Sequence, residues 1–259
     1  MTMGINQNPD VCQNRIEFKF PLEENRIGEL RHRLAPHVEA DPYSAVRPDG
    51  MYTVRSIYFD SPGRLFYWQK IDGLRVRKKI RLRTYNHPGE IVPLIMEIKH
   101  RVNQRIIKER ILLPRERLTI PDLLLCAVSE SNGTWTYRNH RTLDKIRFLV
   151  QRLNLRPTLL VTYEREAYFA REDSNVRITF DRNIRTRFVS ATRDIFSESS
   201  MNPLFPGFSV LECKFCGLVP GWLKTVLGEC GLFRRSVSKY CSGIDLCDMD
   251  RPDAIRSTA

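Results

Sequence analysis

The sequence predicts an α+β fold of roughly eight to nine strands with helices in the connections. Three observations predict it. The stretch from Lys79 to Arg110 holds three consecutive segments with period-two alternation, the pattern of strands with two different faces. Further alternating segments lie on both sides of it, separated by stretches whose apolar residues recur at helical spacing. Finally, no linker composition and no internal repeat divides the chain, so one domain over 12–244 is expected, with tails at 1–11 and 245–259.

In chain order, Arg15 to Phe20 is the first strand, with Arg15, Glu17 and Lys19 on one face and Ile16, Phe18 and Phe20 on the other. Pro21 and Glu23-Glu24 introduce a helix carrying Ile27, Leu30 and Leu34. The loop to Gly50 gives way to a strand dense in β-formers, Tyr52 to Asp60. Asp60 reads as a turn or capping residue, Leu65 to Gln69 as a short helix, and Asp72-Gly73 as a hairpin signal. In the central stretch Lys79, Arg81 and Arg83 share a face opposite Ile80 and Leu82. Glu97, Lys99 and Arg101 share a face in the next segment, and Lys108 and Arg110 in the third. After Pro114, Leu118 to Val128 and then Thr142 to Leu153 read as helices. Pro157 to Phe169 and Val176 to Asp181 are strands, Asp181-Arg182-Asn183 a turn, and Ile184 to Ser190 another strand. Ser209 to Phe215 is the last clear strand, followed by a helix from Gly221 to Cys230 and a polar tail from Asp245.

The formal net charge is +12, which favours phosphate-rich partners: nucleic acid, nucleotides, polyphosphate or an anionic membrane surface. No run approaches the length of a membrane span, and Met1 to Val11 lacks an apolar signal core. Seven cysteines in a chain with a full core read as reduced thiols in a cytoplasmic setting. Cys213 and Cys216 alone are too few for structural zinc. There is no phosphate-binding glycine loop, and no Ser-His-Asp or Cys-His arrangement; His87 and His100 read as surface residues. The cationic rows fit either the lining of a closed barrel or the outer face of a flat sheet. A lining would need a polyanion to compensate it. Bulky apolar residues sit opposite the cations rather than among them, which argues against the interleaved aromatics of nucleic-acid binding.

Eight motifs in order resemble the VTC domain, the polyphosphate polymerase module of the vacuolar transporter chaperone family, within the triphosphate tunnel metalloenzymes. They are Glu17-x-Lys19, Ser56-Ile57-Tyr58-Phe59-Asp60, Lys79-Ile80-Arg81-Leu82-Arg83-x-Tyr85, Glu97-Ile98-Lys99, Tyr163-x-Arg165-x-Ala167, Val176-Arg177-Ile178-Thr179-x-Asp181, Leu211-Glu212-x-Lys214 and Ser238-Lys239-Tyr240. The resemblance implies a closed tunnel of about eight antiparallel strands lined by Lys, Arg and Glu. It also implies Mn²⁺- or Mg²⁺-dependent transfer of the γ-phosphate of ATP onto inorganic polyphosphate. The chain lacks the SPX and membrane-spanning modules of the eukaryotic proteins and resembles a free-standing bacterial-type member. It departs from the tunnel triphosphatases, whose Glu-x-Glu-x-Lys signature here reads Arg15-x-Glu17-x-Lys19. A tunnel triphosphatase and a non-catalytic polyphosphate binder are the alternatives.

Phosphoryl transfer needs positioning and positive charge on the non-bridging oxygens, and little else from the protein. Arg81, Arg83, Lys99, Lys108, Arg165 and Arg177 are the expected catalytic cations, and Lys19, Lys79, Arg110, Lys214 and Lys239 the expected substrate-binding ones. Glu212 is the first candidate metal ligand, because the family places a metal-binding Glu there. Glu97 is either a second ligand or a salt-bridge partner of Lys99 or Arg81, and Glu17 has the same ambiguity. The acceptor phosphate is itself a nucleophile, so no strong general base is required.

Overall fold

Period-two alternation places one apolar and one charged row on each strand, and the strands pair so that like rows lie side by side. The structure, a computed structural model, describes residues 15–85, 94–103, 105–113 and 137–249. The main strands are β1 (Arg15–Glu23), β3 (Met51–Asp60), β4 (Val76–Tyr85), β5 (Leu94–Val102), β6 (Arg105–Leu113), β7 (Arg156–Ala170), β8 (Arg177–Phe188) and β10 (Phe208–Cys216). They form one antiparallel sheet in the order β1-β10-β8-β7-β3-β4-β5-β6; the short β2 (Val38–Ala40) pairs with β7 and the short β9 (Asn202–Pro203) with β8.

The apolar rows face outwards and are covered by helices. Leu143, Ile146 and Val150 of α4 (Tyr137–Arg152) pack on Ile80, Leu82, Met96, Ile98 and Ile111. Their i, i+3, i+7 spacing puts them on one stripe of the helix, and each buried side chain contributes roughly 1.5–3 kcal/mol. At the other end of the sheet, α1 (Ile27–Leu34) and α5 (Gly221–Glu229) cover Phe20, Ile178, Phe180, Leu211 and Phe215. The short α2 (Pro42–Ala45) is capped by Asp41. The short α3 (Leu65–Ile71) anchors Phe66 in the outer core beside Ile80.

α6 (Lys239–Met249) lies instead on the concave side, with Tyr240 and Ile244 against Val54, Tyr58, Leu159 and Val161. A Cβ at Gly243 would stand 2.7 Å from Leu159 Cδ2 and 2.9 Å from Thr186 Oγ1, so this close approach requires glycine. The residue expected to be a turn or cap, Asp60, joins α3 to α6. Its carboxylate accepts from the backbone N–H of Ser61, Phe66 and Tyr67 (2.8, 2.9 and 3.0 Å) and from Tyr240 Oη (2.5 Å).

Several expectations are corrected. The barrel is not closed: among the described residues β1 and β6 are unpaired edges, and the sheet is an open, wrapped half-barrel. Side chains and a crossing segment span the gap instead. Lys99 on β5 reaches Glu17 on β1 (3.3 Å), Arg235 N donates to Lys19 O (2.9 Å), and Lys79 Nζ donates to Ser238 Oγ (2.9 Å). The turn expected at Asp181–Asn183 is an irregularity inside the continuous β8. Asn183 takes a positive φ of 46°, and the register with β7 shifts between Thr162 and Glu164. Asp72-Gly73 ends α3 rather than starting a hairpin: Gly73 has φ 68°, with Gly73 N donating to Lys70 O and Leu74 N to Gln69 O (3.3 and 3.1 Å), the paired bonds of a Schellman cap. The tail expected from Asp245 is helical to Met249, because Cys247 is buried while Tyr67 and Arg64 bond Asp245 and Asp248. Cys216 is disulfide-bonded, so not every thiol is free. Cys213 is buried in the outer core, and a spacing of three on a strand turns it away from Cys216. The helix expected at Leu118 to Val128, and His87, lie outside the described residues.

Candidate anion-binding and metal site

Register alone brings the charged rows together. Side by side across the sheet run Glu17 and Lys214, Lys19 and Glu212, Lys214 and Arg177, Arg165 and Asp181, and Arg165 and Tyr52. Farther round come Ser56 and Arg83, then Tyr58, Arg81, Glu97 and Arg110, then Lys79, Lys99 and Lys108. Cross-strand partners share a face. Every strand residue expected at the site therefore lies on the concave face, and Lys239 joins them from the start of α6.

The carboxylates divide this face into four groups. Glu97, 4% exposed, accepts from Arg81 at 2.5 Å. Burial would raise its carboxyl, but Arg81, Lys108, Arg83 and Lys99 outweigh that and hold it well below the usual range. It is thus the salt-bridge partner of Arg81. Asp181, fully buried, accepts from Arg165 Nε and Nη2 (2.6 and 2.8 Å) and from Lys239 Nζ (2.6 Å). Burial again opposes ionisation, and Arg165 and Lys239 overcome it. Asp41 accepts from Arg177 Nη2 (2.7 Å), which also reaches Tyr52 Oη (3.1 Å).

The fourth group is Glu17 with Glu212. Lys19 touches both (2.9 and 3.8 Å), Lys99 touches Glu17 (3.3 Å), and Lys214 forms a short ion pair with Glu212. Burial and the neighbouring Glu212 push Glu17 up, and Lys19, Lys99 and Lys214 pull it below the usual range; burial likewise pushes Glu212 up and Lys214 and Lys19 lead in lowering it. Lys19 is held above its usual value because Glu17 and Glu212 outweigh the cost of burial.

Among the described residues Arg83, Lys79, Lys108 and Arg110 have no carboxylate in contact. Arg83, 8% exposed, donates to hydroxyls only among the described residues, Ser56 Oγ (3.1 Å) and Tyr163 Oη (3.3 Å). Tyr163 Oη also accepts from Arg165 Nη2 (3.3 Å), tying the two guanidinium groups together. Lys79 has Ser238. Lys108 and the exposed Arg110 have no hydrogen-bond or ion-pair partner among the described residues. Burial, with Lys214, Lys99 and Arg110 adding and Glu97 opposing, lowers Lys108 to about 7. Burial lowers Lys79 to about 8, with Cys241 and Tyr58 opposing and Lys19 and Lys99 adding; burial also lowers the paired Lys214 to about 8, with Glu212 and Glu17 opposing and Arg165 and Arg177 adding. Tyr58 falls to about 8, where burial opposes ionisation and Arg81, Lys79 and Arg83 outweigh it.

A divalent cation handling phosphates takes one or two protein carboxylates and fills its shell with phosphate oxygens and water. Glu17 and Glu212 fit that demand: both are ionised, adjacent, and ringed by lysines that a metal and its phosphates could replace. Among the described residues no cluster of three or more His, Cys, Asp or Glu could hold a metal without such help. The sequence reading missed Asp181 as an anchor of Arg165 and Lys239, and Tyr163 as a bridge. Asp181 stands on the charged face of its strand and closes the Val176-to-Asp181 motif, but neither signal names its partners.

The described residues form an open antiparallel half-barrel with an excess of inward cations, an arrangement suited chemically to anions. The chain belongs to the VTC domain family, whose model matches residues 14–247. No curated protein matches it. Among solved structures, it is similar to the PH1819 protein from Pyrococcus horikoshii OT3, at 14% identity and a TM-score of 0.46, over 90% of this chain and 98% of that one. It is also similar to the Mimivirus capping enzyme triphosphatase, at 10% identity and a TM-score of 0.29, over 86% of this chain and 88% of that one. Among the described residues, no helix is long and apolar enough to cross a membrane.

Proposed function

We propose that the protein is a metal-dependent phosphotransferase that moves the γ-phosphate of ATP onto a growing inorganic polyphosphate chain. The observation that carries this reading is the row Lys79, Lys99 and Lys108, set directly beside one another on three strands and adjoining the Glu17–Glu212 pair. Like charges in direct cross-strand contact destabilise a sheet unless an anion lies between them. A single phosphate would not span the row, whereas a chain of phosphates would.

The roles follow from the contacts. Arg81, Arg83 and Arg165 present planar forks to phosphate oxygens, with Glu97, Tyr163 and Asp181 fixing their orientation. Lys79, Lys99 and Lys108 hold successive phosphates of donor and acceptor in line. Arg177 and Lys239, tied to Asp41 and Asp181, add positive charge at the wall. Lys19 and Lys214 position Glu17 and Glu212, which would hold Mn²⁺ or Mg²⁺; when bound, the metal supplies positive charge to the phosphate oxygens. The acceptor's own terminal oxyanion attacks, so no side chain needs to remove a proton.

The test is the time course with ATP and Mn²⁺ or Mg²⁺. ATP alone should show a lag while the first short chains form, and added pyrophosphate or tripolyphosphate should shorten it by filling the acceptor site. If the added chains are instead cleaved to orthophosphate and no lag exists, the protein is a triphosphatase.

A further inference from the structure

Positive charge without a carboxylate does not stop at the lysine row. Arg77 stands two residues before Lys79 on β4 and Arg101 two residues after Lys99 on β5, so both share the concave face, and the register sets them directly opposite each other. Lys70, at the end of α3, joins them at this rim: its Nζ donates to Ser236 Oγ (2.9 Å), beside Arg235, whose N–H donates to Lys19 O. None of the three has a carboxylate partner among the described residues; Arg101 Nε donates to the Asn103 carbonyl (2.8 Å). Burial lowers Lys70 and Arg77 from their usual values, with Arg77, Arg101 and Lys19 adding at Lys70, Arg101 adding at Arg77, and the Cys241 thiol opposing at both. All three side chains are only half-buried, so a ligand can reach them.

The other end of β4 differs. Tyr85 closes its charged row there, with its ring 5.9 Å from that of Tyr52, and Arg177 beside Tyr52 is answered by Asp41 (2.7 Å). Beyond the lysine row, positive charge therefore runs out to the rim at Arg77 and Arg101, whereas the opposite rim offers tyrosines and a neutralised arginine. Two arginines in direct cross-strand contact repel unless an anion lies between them, and two planar forks side by side hold several oxygens of a phosphate chain. Inorganic polyphosphate carries charge on every unit and asks nothing else of the protein. A nucleic acid also needs surfaces to stack its bases, and Tyr52 and Tyr85 lie at the opposite end. We propose that Arg77, Arg101 and Lys70 form an outer subsite for inorganic polyphosphate, reached only by chains too long for the lysine row, and that the growing polymer leaves the concave face over this rim. The proposal rests on the phosphotransferase reading and adds to it a direction and a dependence on chain length.

The test measures the affinity of the full chain for tripolyphosphate and for long-chain polyphosphate, without ATP or metal. Long chains should bind the wild type more tightly. Arg77→Gln with Arg101→Gln should weaken long-chain binding about tenfold or more and tripolyphosphate binding by no more than about twofold. Lys70→Gln should give a smaller loss with the same preference for long chains. Arg152→Gln with Lys224→Gln removes two exposed charges elsewhere, on α4 and α5, and should leave both affinities within about twofold. Melting temperatures equal to or above that of the wild type would verify folding, since the Arg77/Arg101 variant loses charges that repel each other. Equal losses at both lengths, an equal long-chain loss in the Arg152/Lys224 variant, or a single-stranded oligonucleotide competing as strongly as polyphosphate of the same charge would overturn the proposal. Polymer made from ATP by the wild type alongside any of those results would leave the phosphotransferase reading intact. Length-selective binding without polymer synthesis would defeat that reading and leave the outer subsite in place.

Discussion

Two parts of the concave face use the same residue types to opposite ends. Around Asp181, one carboxylate with no exposure accepts three bonds from Arg165 and Lys239, and the group is held whether or not a ligand is present. In the row Lys79, Lys99 and Lys108, three lysines stand side by side, and Glu17 is the one carboxylate that any of them touches among the described residues. The first arrangement is a neutralised wall and the second a row of like charges. Counting cations on a face does not tell the two apart; whether a carboxylate answers them does.

The sharpest way to break this contrast is to remove the wall's carboxylate. Asp181→Asn leaves two buried cations without their counter-charge and turns an amide N–H₂ towards donors, and should cost about 3–5 kcal/mol. For a chain of this size that is a fall in Tm of roughly 10 °C by thermal denaturation. An unchanged Tm would show that the Asp181 group is not structural.

Glu212→Gln keeps shape and removes charge from the site side. Metal-dependent turnover should fall about a hundredfold or more, while tripolyphosphate affinity measured without metal holds or rises. Full turnover across a metal titration would exclude Glu212 as a ligand.

Lys108→Gln should weaken tripolyphosphate binding about tenfold, the loss of one charge-assisted contact, with Tm equal or higher because a self-repelling charge has gone. A marked loss of Tm would place Lys108 in the wall instead.

The smallest effect is in pH. Lys79 and Lys214 at about 8 and Lys108 at about 7 lie below the usual 10.5. Between about 7 and 10 the unfolded chain binds more protons than the folded one at these groups, so their contribution makes stability rise with pH across that window. Bound tripolyphosphate favours the protonated lysines. Its stabilising shift in Tm should therefore be larger at pH 7 than at pH 9, and the reverse order would contradict the assignment.

The strands were legible because each had to show one face to helices and the other to charge. Lys79 to Leu82 and Glu97 to Lys99 alternate cleanly for that reason, and register then placed every expected strand residue on one side. What sequence did not show depends on contacts between distant segments. Asp181 meets Lys239 across 58 positions, and nothing local marks either as the other's partner. α6 lies inside the curve of the sheet, where helix packing depends on a glycine at one position, Gly243. Closure of the sheet was expected from the family resemblance, but whether two edge strands meet is set by the accumulated twist of the whole sheet. Asp181-Arg182-Asn183 has turn composition, yet β7 provides a partner on both sides of it and keeps β8 continuous through an irregularity.

The central claim is that the row Lys79, Lys99 and Lys108 holds a phosphate chain as the acceptor in place of water. The most direct measurement follows label from γ-³²P-ATP through the first minutes with Mn²⁺ and a tripolyphosphate primer, on a gel that resolves polymer from orthophosphate. The account predicts label in a lengthening polymer, with ADP formed in equal amount to the phosphate incorporated and little orthophosphate. Orthophosphate matching ADP from the first time point, with no labelled polymer, would contradict it.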